Sequence, residues 1–213
     1  MPLSHPLNEI EAMSSEQISE ETVSNVQDAR APTSPRRSSI EPTFEEYVED
    51  ARKNRRNWDI PHACSEEALF VVRALIADAH NNPNKLRPIC SVARNYPSNF
   101  FDALKDDIDL ALDAGVFVTA IVLSPGVVIS DNVFLNTIGR HVNGEVITQI
   151  GNEILSSPSF IVVGNFSYRF RIRSGEAKAL ANFNNQFIGD FLVDQFHTLR
   201  DQLKPSRPTS TRP

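Results

Sequence analysis

Ser157-Pro-Ser-Phe-Ile-Val-Val-Gly-Asn-Phe-Ser-Tyr-Arg-Phe-Arg-Ile-Arg173 is the stretch on which the fold reading turns. Phe160 to Val163 is an unbroken apolar run rich in β-branched residues, the pattern of a strand covered on both faces. Gly164-Asn165 interrupts it. Tyr168 to Arg173 then alternates, with Tyr168, Phe170 and Ile172 on one side and Arg169, Arg171 and Arg173 on the other. A strand places those three guanidinium groups on one face, about 7 Å apart from one to the next.

Working outward, Val116-Phe-Val-Thr-Ala-Ile-Val-Leu123 reads as another buried strand, and Arg87 to Arg94 as a further one carrying Ile89 and Val92. A strand is also expected around Glu145 to Gln149. Helical spacing fills the gaps between them. Phe44, Tyr47, Val48 and Ala51 lie on one helix face. Leu69, Val72 and Ile76 follow an N-cap assigned to Ser65, with Glu66 and Glu67 at the positive helix end. Pro97-Ser98 opens a helix with Phe101, Leu104, Ile108, Ala111 and Leu112, which Gly115 ends as a left-handed residue. Another helix runs from about Asp131 to Arg140. Phe187, Ile188, Phe191, Leu192, Phe196 and Leu199 mark a long C-terminal helix. Strands alternating with helices predict an α/β fold, a mixed sheet flanked by helices.

The chain has 213 residues, 40% hydrophobic and 23% charged, with a net charge of -6. This balance excludes a strongly basic nucleic-acid binder. No apolar run reaches the roughly 18 residues of a membrane span, and the N-terminus lacks the pattern of a secretory signal, so a cytoplasmic protein is expected. Residues 1–43 contain no aromatic residue, seven acids and three arginines. Such a segment is too polar to offset its ordering entropy, and a disordered acidic tail is expected there. The expected organisation is that tail, a helical extension over 44–64, the α/β domain over 65–203, and a second short tail over 204–213.

Chemistry-bearing motifs are scarce. His5, His62, His80, His141 and His197 show no metal-ligand spacing, and the two cysteines, Cys64 and Cys90, make neither a disulfide framework nor a thiolate site. No phosphate-cradling glycine loop or nucleophile elbow is present. Cys90 reads as a small core residue. Asp106, Asp107, Asp109 and Asp113 read as a solvated helix face. No cofactor and no metal are expected. The arginine stripe leaves two readings open: a grip on phosphates or acidic groups, or a charged face that discourages strand pairing.

The segment Ser157 to Phe170 resembles the core of phospholipase D-like proteins, in which a strand carrying His-x-Lys-x4-Asp is followed directly by another strand. The helix from Phe100 to Ala114, Gly115 and the apolar strand after it look similar to the same family, as does the terminal helix. The resemblance spans roughly residues 65 to 203. Carried over by position, Ser157 stands at the family's histidine, Ser159 at its lysine and Gly164 at its aspartate. All three motif residues are lost. Serine without an adjacent base cannot replace an imidazole that attacks phosphorus. The resemblance therefore implies a catalytically dead copy, and a homodimer, because active members join two such halves.

The expected function is a non-catalytic binding or regulatory protein whose partner is another protein or a phosphate-bearing ligand, with no catalytic residue assigned. Two alternatives stay open. One is a phosphodiesterase or nuclease using an unrecognised site, which a pocket gathering His141 or His62 with carboxylates and arginines would favour. The other is a nucleic-acid-binding accessory protein acting through Arg52, Lys53, Arg55 and Arg56, a reading that the overall acidity disfavours.

Overall fold

The computed structural model describes residues 41–81, 85–94, 96–124, 126–149, 157–171 and 178–203. The chain divides into two units, Met1–Ile40 and Glu41–Pro213, and every described residue belongs to the second. Residues 1–40 of the tail expected over 1–43, the tail expected over 204–213, and Arg173 lie outside the described residues.

Capping fixes where the first helices start. The Thr43 hydroxyl accepts from the Glu46 amide while the Glu46 carboxylate accepts from the Thr43 amide, a reciprocal cap on α1 (Phe44–Lys53). After β1 (Ile60–His62) comes α2 (Ser65–His80), whose N-cap is Cys64, one residue before the expected Ser65. The reason lies three residues on. Glu67 returns its carboxylate to the Cys64 amide, whereas the third residue after Ser65 is Ala68, which has no acceptor.

The helix expected from Pro97 is broken. It divides into α3 (Ser98–Phe101), a 3₁₀ turn over Asp102–Leu104 and α4 (Lys105–Asp113). Gly115 ends α4 with φ +94°, as the sequence indicates.

The other elements are β2 (Ile89–Ala93), β3 (Val118–Val122), α5 (Val133–Arg140), β4 (Gly144–Thr148), β5 (Phe160–Val163), β6 (Ser167–Arg171), β7 (Ala179–Asn182) and α6 (Gln186–Leu203). Among the described residues the strands form one seven-stranded sheet in the order β1-β7-β6-β5-β2-β3-β4. β2, β3 and β4 are parallel, so each step needs a helical crossover, supplied by α4 and α5. β5 lies antiparallel to β2, and β6, β7 and β1 continue antiparallel outward. The mixed sheet flanked by helices is the predicted fold class. β1 and β7 were not predicted.

One core joins α1, α2, α4 and α5 to a face of the sheet through Val71, Leu75, Ile108, Leu112, Leu135 and Ile138. The other face is covered by α6, whose Leu192, Phe196 and Leu199 pack on Val92, Ile121, Phe160, Val162 and Tyr168. Gly189 lets α6 pass close over the β5–β6 turn; a Cβ there would collide with the Asn165 carbonyl.

A charged cluster ties α1 to the sheet. Asp78, buried on α2, accepts from Arg55 (Nη1 2.9 Å), Arg87 (Nη1 2.8 Å) and the Ser167 hydroxyl (2.9 Å). Arg55 Nη2 reaches the second carboxylate oxygen at 2.9 Å. Both guanidiniums also lie near the Phe166 ring, at 5.4 Å for Arg55 and 4.6 Å for Arg87.

Candidate functional site

Alternation along β6 sends Tyr168 and Phe170 toward α6 and Arg169 toward the α2 face. Arg171 lies two residues farther along that same face. The sequence admitted an exposed charged face for these arginines, and for Arg169 the structure corrects it. β6 is an interior strand between β5 and β7, and Arg169 is only 9% exposed. Arg171 is exposed.

Arg169 reaches His62 across β7. In register, Arg169 lies opposite Ala181, and Ala179 lies opposite His62. Both β7 residues are alanines, which leaves space for the guanidinium to cross. Arg169 Nε stands 2.8 Å from His62 Nε2, and His62 Nδ1 lies 3.1 Å from the Ile60 carbonyl. Arginine can only donate, so Nε2 must accept and Nδ1 must carry the proton that it gives to Ile60. Burial holds the His62 pKa below its ordinary value, partly offset by the Ile60 carbonyl and reinforced by the Arg169 charge. Burial, with the charge of Arg171, pushes Arg169 down to about 10, so it is still cationic at neutral pH. No carboxylate among the described residues pairs with Arg169 or Arg171.

These two arginines line a cavity of about 350 Å³ at the end of the sheet where β1 and β2 finish and α2 begins. That volume is at the small end of the range for ligand pockets. Cys64 and Ser65 bring the first turn of α2 to its rim, and Ser159 lies beside Arg171 on β5. Across the cavity stands an aromatic wall. Tyr96 and Phe101 have ring centroids 4.7 Å apart, and Phe100 meets Phe101 edge-on at 5.0 Å. The Tyr96 hydroxyl is 3.0 Å from Ser91 Oγ, so its polar end is satisfied.

The cavity does not gather all the positions carried over from the family motif. Ser159 lines it, and Ser157 bonds through its hydroxyl to the Pro158 carbonyl. Gly164 is at the opposite end of β5, five residues or about 16 Å from Ser159. There it adopts φ +60° against the Arg87 side chain and borders a second cavity, of about 430 Å³, with Cys90, His197 and Arg200. Arg200 in that cavity is paired with Glu145 at 2.7 Å. Burial pushes the Cys90 thiol up to about 11, which fits a packing role better than a nucleophilic one.

The remaining candidates are engaged elsewhere. Asp107 pairs with Arg73, Asp109 with Lys105 and Asp113 with His141, while the Asp106 side chain is fully exposed. Among the described residues no group of three or more His, Cys, Asp or Glu could hold a metal ion. The basic run on α1 and just after it is paired within the chain: Arg52 and Lys53 share Glu49, Arg55 shares Asp78 with Arg87, and Arg56 pairs with Asp50. Sequence reasoning missed the His62–Arg169 contact. Its signal was the pair of alanines on β7, which means something only once β7 is known to separate the two residues.

No family model and no curated protein matches this sequence. Solved structures do resemble its fold. The archaeal chromatin protein TrmBL2, whose structure shows a novel mode of DNA binding, superposes with a TM-score of 0.51 at 10% identity, over 71% of this chain and 54% of that one. The chain thus spans about half the length of that protein. NucT from Helicobacter pylori gives 0.50 at 7% identity, over 68% of this chain and 97% of that one. The phospholipase D family member Nuc from Salmonella typhimurium gives 0.49 at 13% identity, over 71% and 99%. At such identities the likeness is one of fold: this chain shares its α/β fold with TrmBL2 and NucT.

Proposed function

We propose that this chain is a non-catalytic binding protein that holds a phosphate-bearing ligand in the cavity beneath Arg169 and Arg171. One observation carries the reading: a buried arginine with no carboxylate partner among the described residues, held by a neutral histidine, faces a cavity that a second arginine also lines. Guanidinium groups recognise phosphate oxygens through paired charge-assisted hydrogen bonds. Ser159 adds a hydroxyl donor beside Arg171, while the Ala63, Cys64 and Glu67 amides at the start of α2 are already engaged in its cap.

Among the described residues, the cavity presents no histidine free to attack a phosphodiester. His62 is 4% exposed and both ring nitrogens are engaged, one by Arg169 and one by Ile60. It positions Arg169 rather than attacking phosphorus. Among the described residues, Ser157 and Ser159 show no hydrogen bond to a base that would make either a nucleophile. The proposal includes a homodimer and a cytoplasmic setting. No described helix is long and apolar enough to cross a membrane. Phe117 and Val142, 66% and 90% exposed near the β4 edge, are apolar surface that a second copy would cover.

The test pairs calorimetric titration of inorganic phosphate with an assay on bis(p-nitrophenyl) phosphate. The expected result is phosphate binding that Arg169→Gln weakens at least tenfold, without turnover. Hydrolysis that Arg169→Gln abolishes, or the absence of phosphate binding, would overturn the reading.

A further inference from the structure

Resting on that reading, we infer that the site is built for a phosphate monoester carried on an aromatic group, with the phosphate on Arg169 and Arg171 and the ring against Phe100.

Two walls of different chemistry bound the cavity. Arg169 pairs with Ile161, which pairs with Ser91, so β6, β5 and β2 set the width of the cavity floor. Positions on β6 and β2 are two strand spacings apart, about 10 Å. The cationic wall therefore stands opposite the aromatic wall, with Ile161 between them. A ligand that satisfies both must carry its charge at one end and a flat apolar body at the other.

Charge and shape narrow the class. Two arginines with no acidic partner among the described residues match a dianion, which is the dominant state of a phosphate monoester at neutral pH and is not available to a diester. Phe100 is only half-buried, so its ring has surface to offer, whereas Tyr96 and Phe101 are locked in the aromatic cluster behind it. Aromatic rings attract one another in offset-stacked or edge-on arrangements, with centroids about 4.5–7 Å apart. Leu69 and Pro97 extend the apolar side around Phe100, and Glu66 and Asn99 are the polar residues on that rim. Together these features favour a ring over a sugar or another polar body.

The test uses the full chain and four probes: inorganic phosphate, glycerol 3-phosphate, phenyl phosphate and adenosine 5′-monophosphate. Phenyl phosphate or the nucleotide is expected to bind about tenfold more tightly than inorganic phosphate, and glycerol 3-phosphate no more tightly than inorganic phosphate. Which aromatic probe binds better separates a ring borne directly on phosphate from one held off by ribose. Phe100→Leu keeps the apolar packing and is expected to erase the aromatic gain, read as the ratio of aromatic-probe to inorganic-phosphate affinity in the same variant. Phosphate binding with no gain from either aromatic probe, or a gain that survives Phe100→Leu, overturns this inference alone. Absence of phosphate binding overturns the underlying reading instead.

Discussion

Replacing Asp78 with asparagine keeps the side-chain shape and removes one charge. The carboxylate is 5% exposed at its side chain and holds two guanidiniums and a hydroxyl at 2.8–2.9 Å. In Asp78→Asn those guanidiniums face each other without an anion between them, and the amide nitrogen offers a donor where only acceptors fit. Breaking one side of a buried ion pair costs about 3–5 kcal/mol, because the remaining charge is stranded. Arg55 is a third exposed and can turn partly to water, so the lower end of that range, about 3 kcal/mol, is expected. For a domain of this size, each kcal/mol moves the melting temperature by roughly 2–4 °C, giving a drop of about 6–12 °C. Urea unfolding of the wild type, Asp78→Asn, Arg87→Gln and the double variant closes a cycle. The double variant should be less destabilised than the sum of the single changes. A loss below about 1 kcal/mol in Asp78→Asn, or strictly additive changes, would refute the claim that Asp78 locks α1 and the β5–β6 turn to the core.

Three further outcomes follow from the same geometry. His62 has a lowered pKa in the fold, so below about pH 6.5 the unfolded chain takes a proton that the native state refuses. Its contribution is therefore fully present above that pH and is lost as pH falls, by up to about 1.4 kcal/mol per pH unit; His62→Gln should flatten that part of the stability–pH curve. Cys64 is exposed and Cys90 is held near 11, so a thiol reagent at pH 7.5 should label Cys64 first, as peptide mass mapping would read; equal rates would refute the burial argument. Gly189→Ala should lower the melting temperature by several degrees, because its methyl group meets the Asn165 carbonyl, and an unchanged value would mean that α6 is not seated as described.

The strands β3 and β5 were legible because their sequences carry the signal. Val118–Val122 and Phe160–Val163 are apolar and β-branched, and a strand buried on both faces needs that composition. The edge strand β1 and its neighbour β7 were not legible. β1 has three residues with a proline at its centre, and β7 is Ala-Leu-Ala-Asn, with no β-branched residue. Their pairing partners, not their composition, make them strands. The arginine stripe shows the same limit. Its periodicity fixes which face Arg169 and Arg171 share, but not whether that face is covered. Cover comes from β7 and β1, the two strands that composition hides. Asp78 was legible in principle, as a lone acid among Leu75, Ile76 and Ala79 on a buried helix face. Its partners stand 23, 9 and 89 residues away, a grouping that only the topology reveals.

The most direct test of the central claim is a nitrogen-15 NMR titration of arginine side chains with inorganic phosphate. The Nε–H of Arg169, hydrogen-bonded to His62, should give a resonance set apart from those of exposed arginines. Saturable shifts of the Arg169 and Arg171 signals, with exposed Arg94 and Arg140 unmoved, are the expected result. An unmoved Arg169 signal, or weak shifts spread over every exposed arginine, would contradict the account.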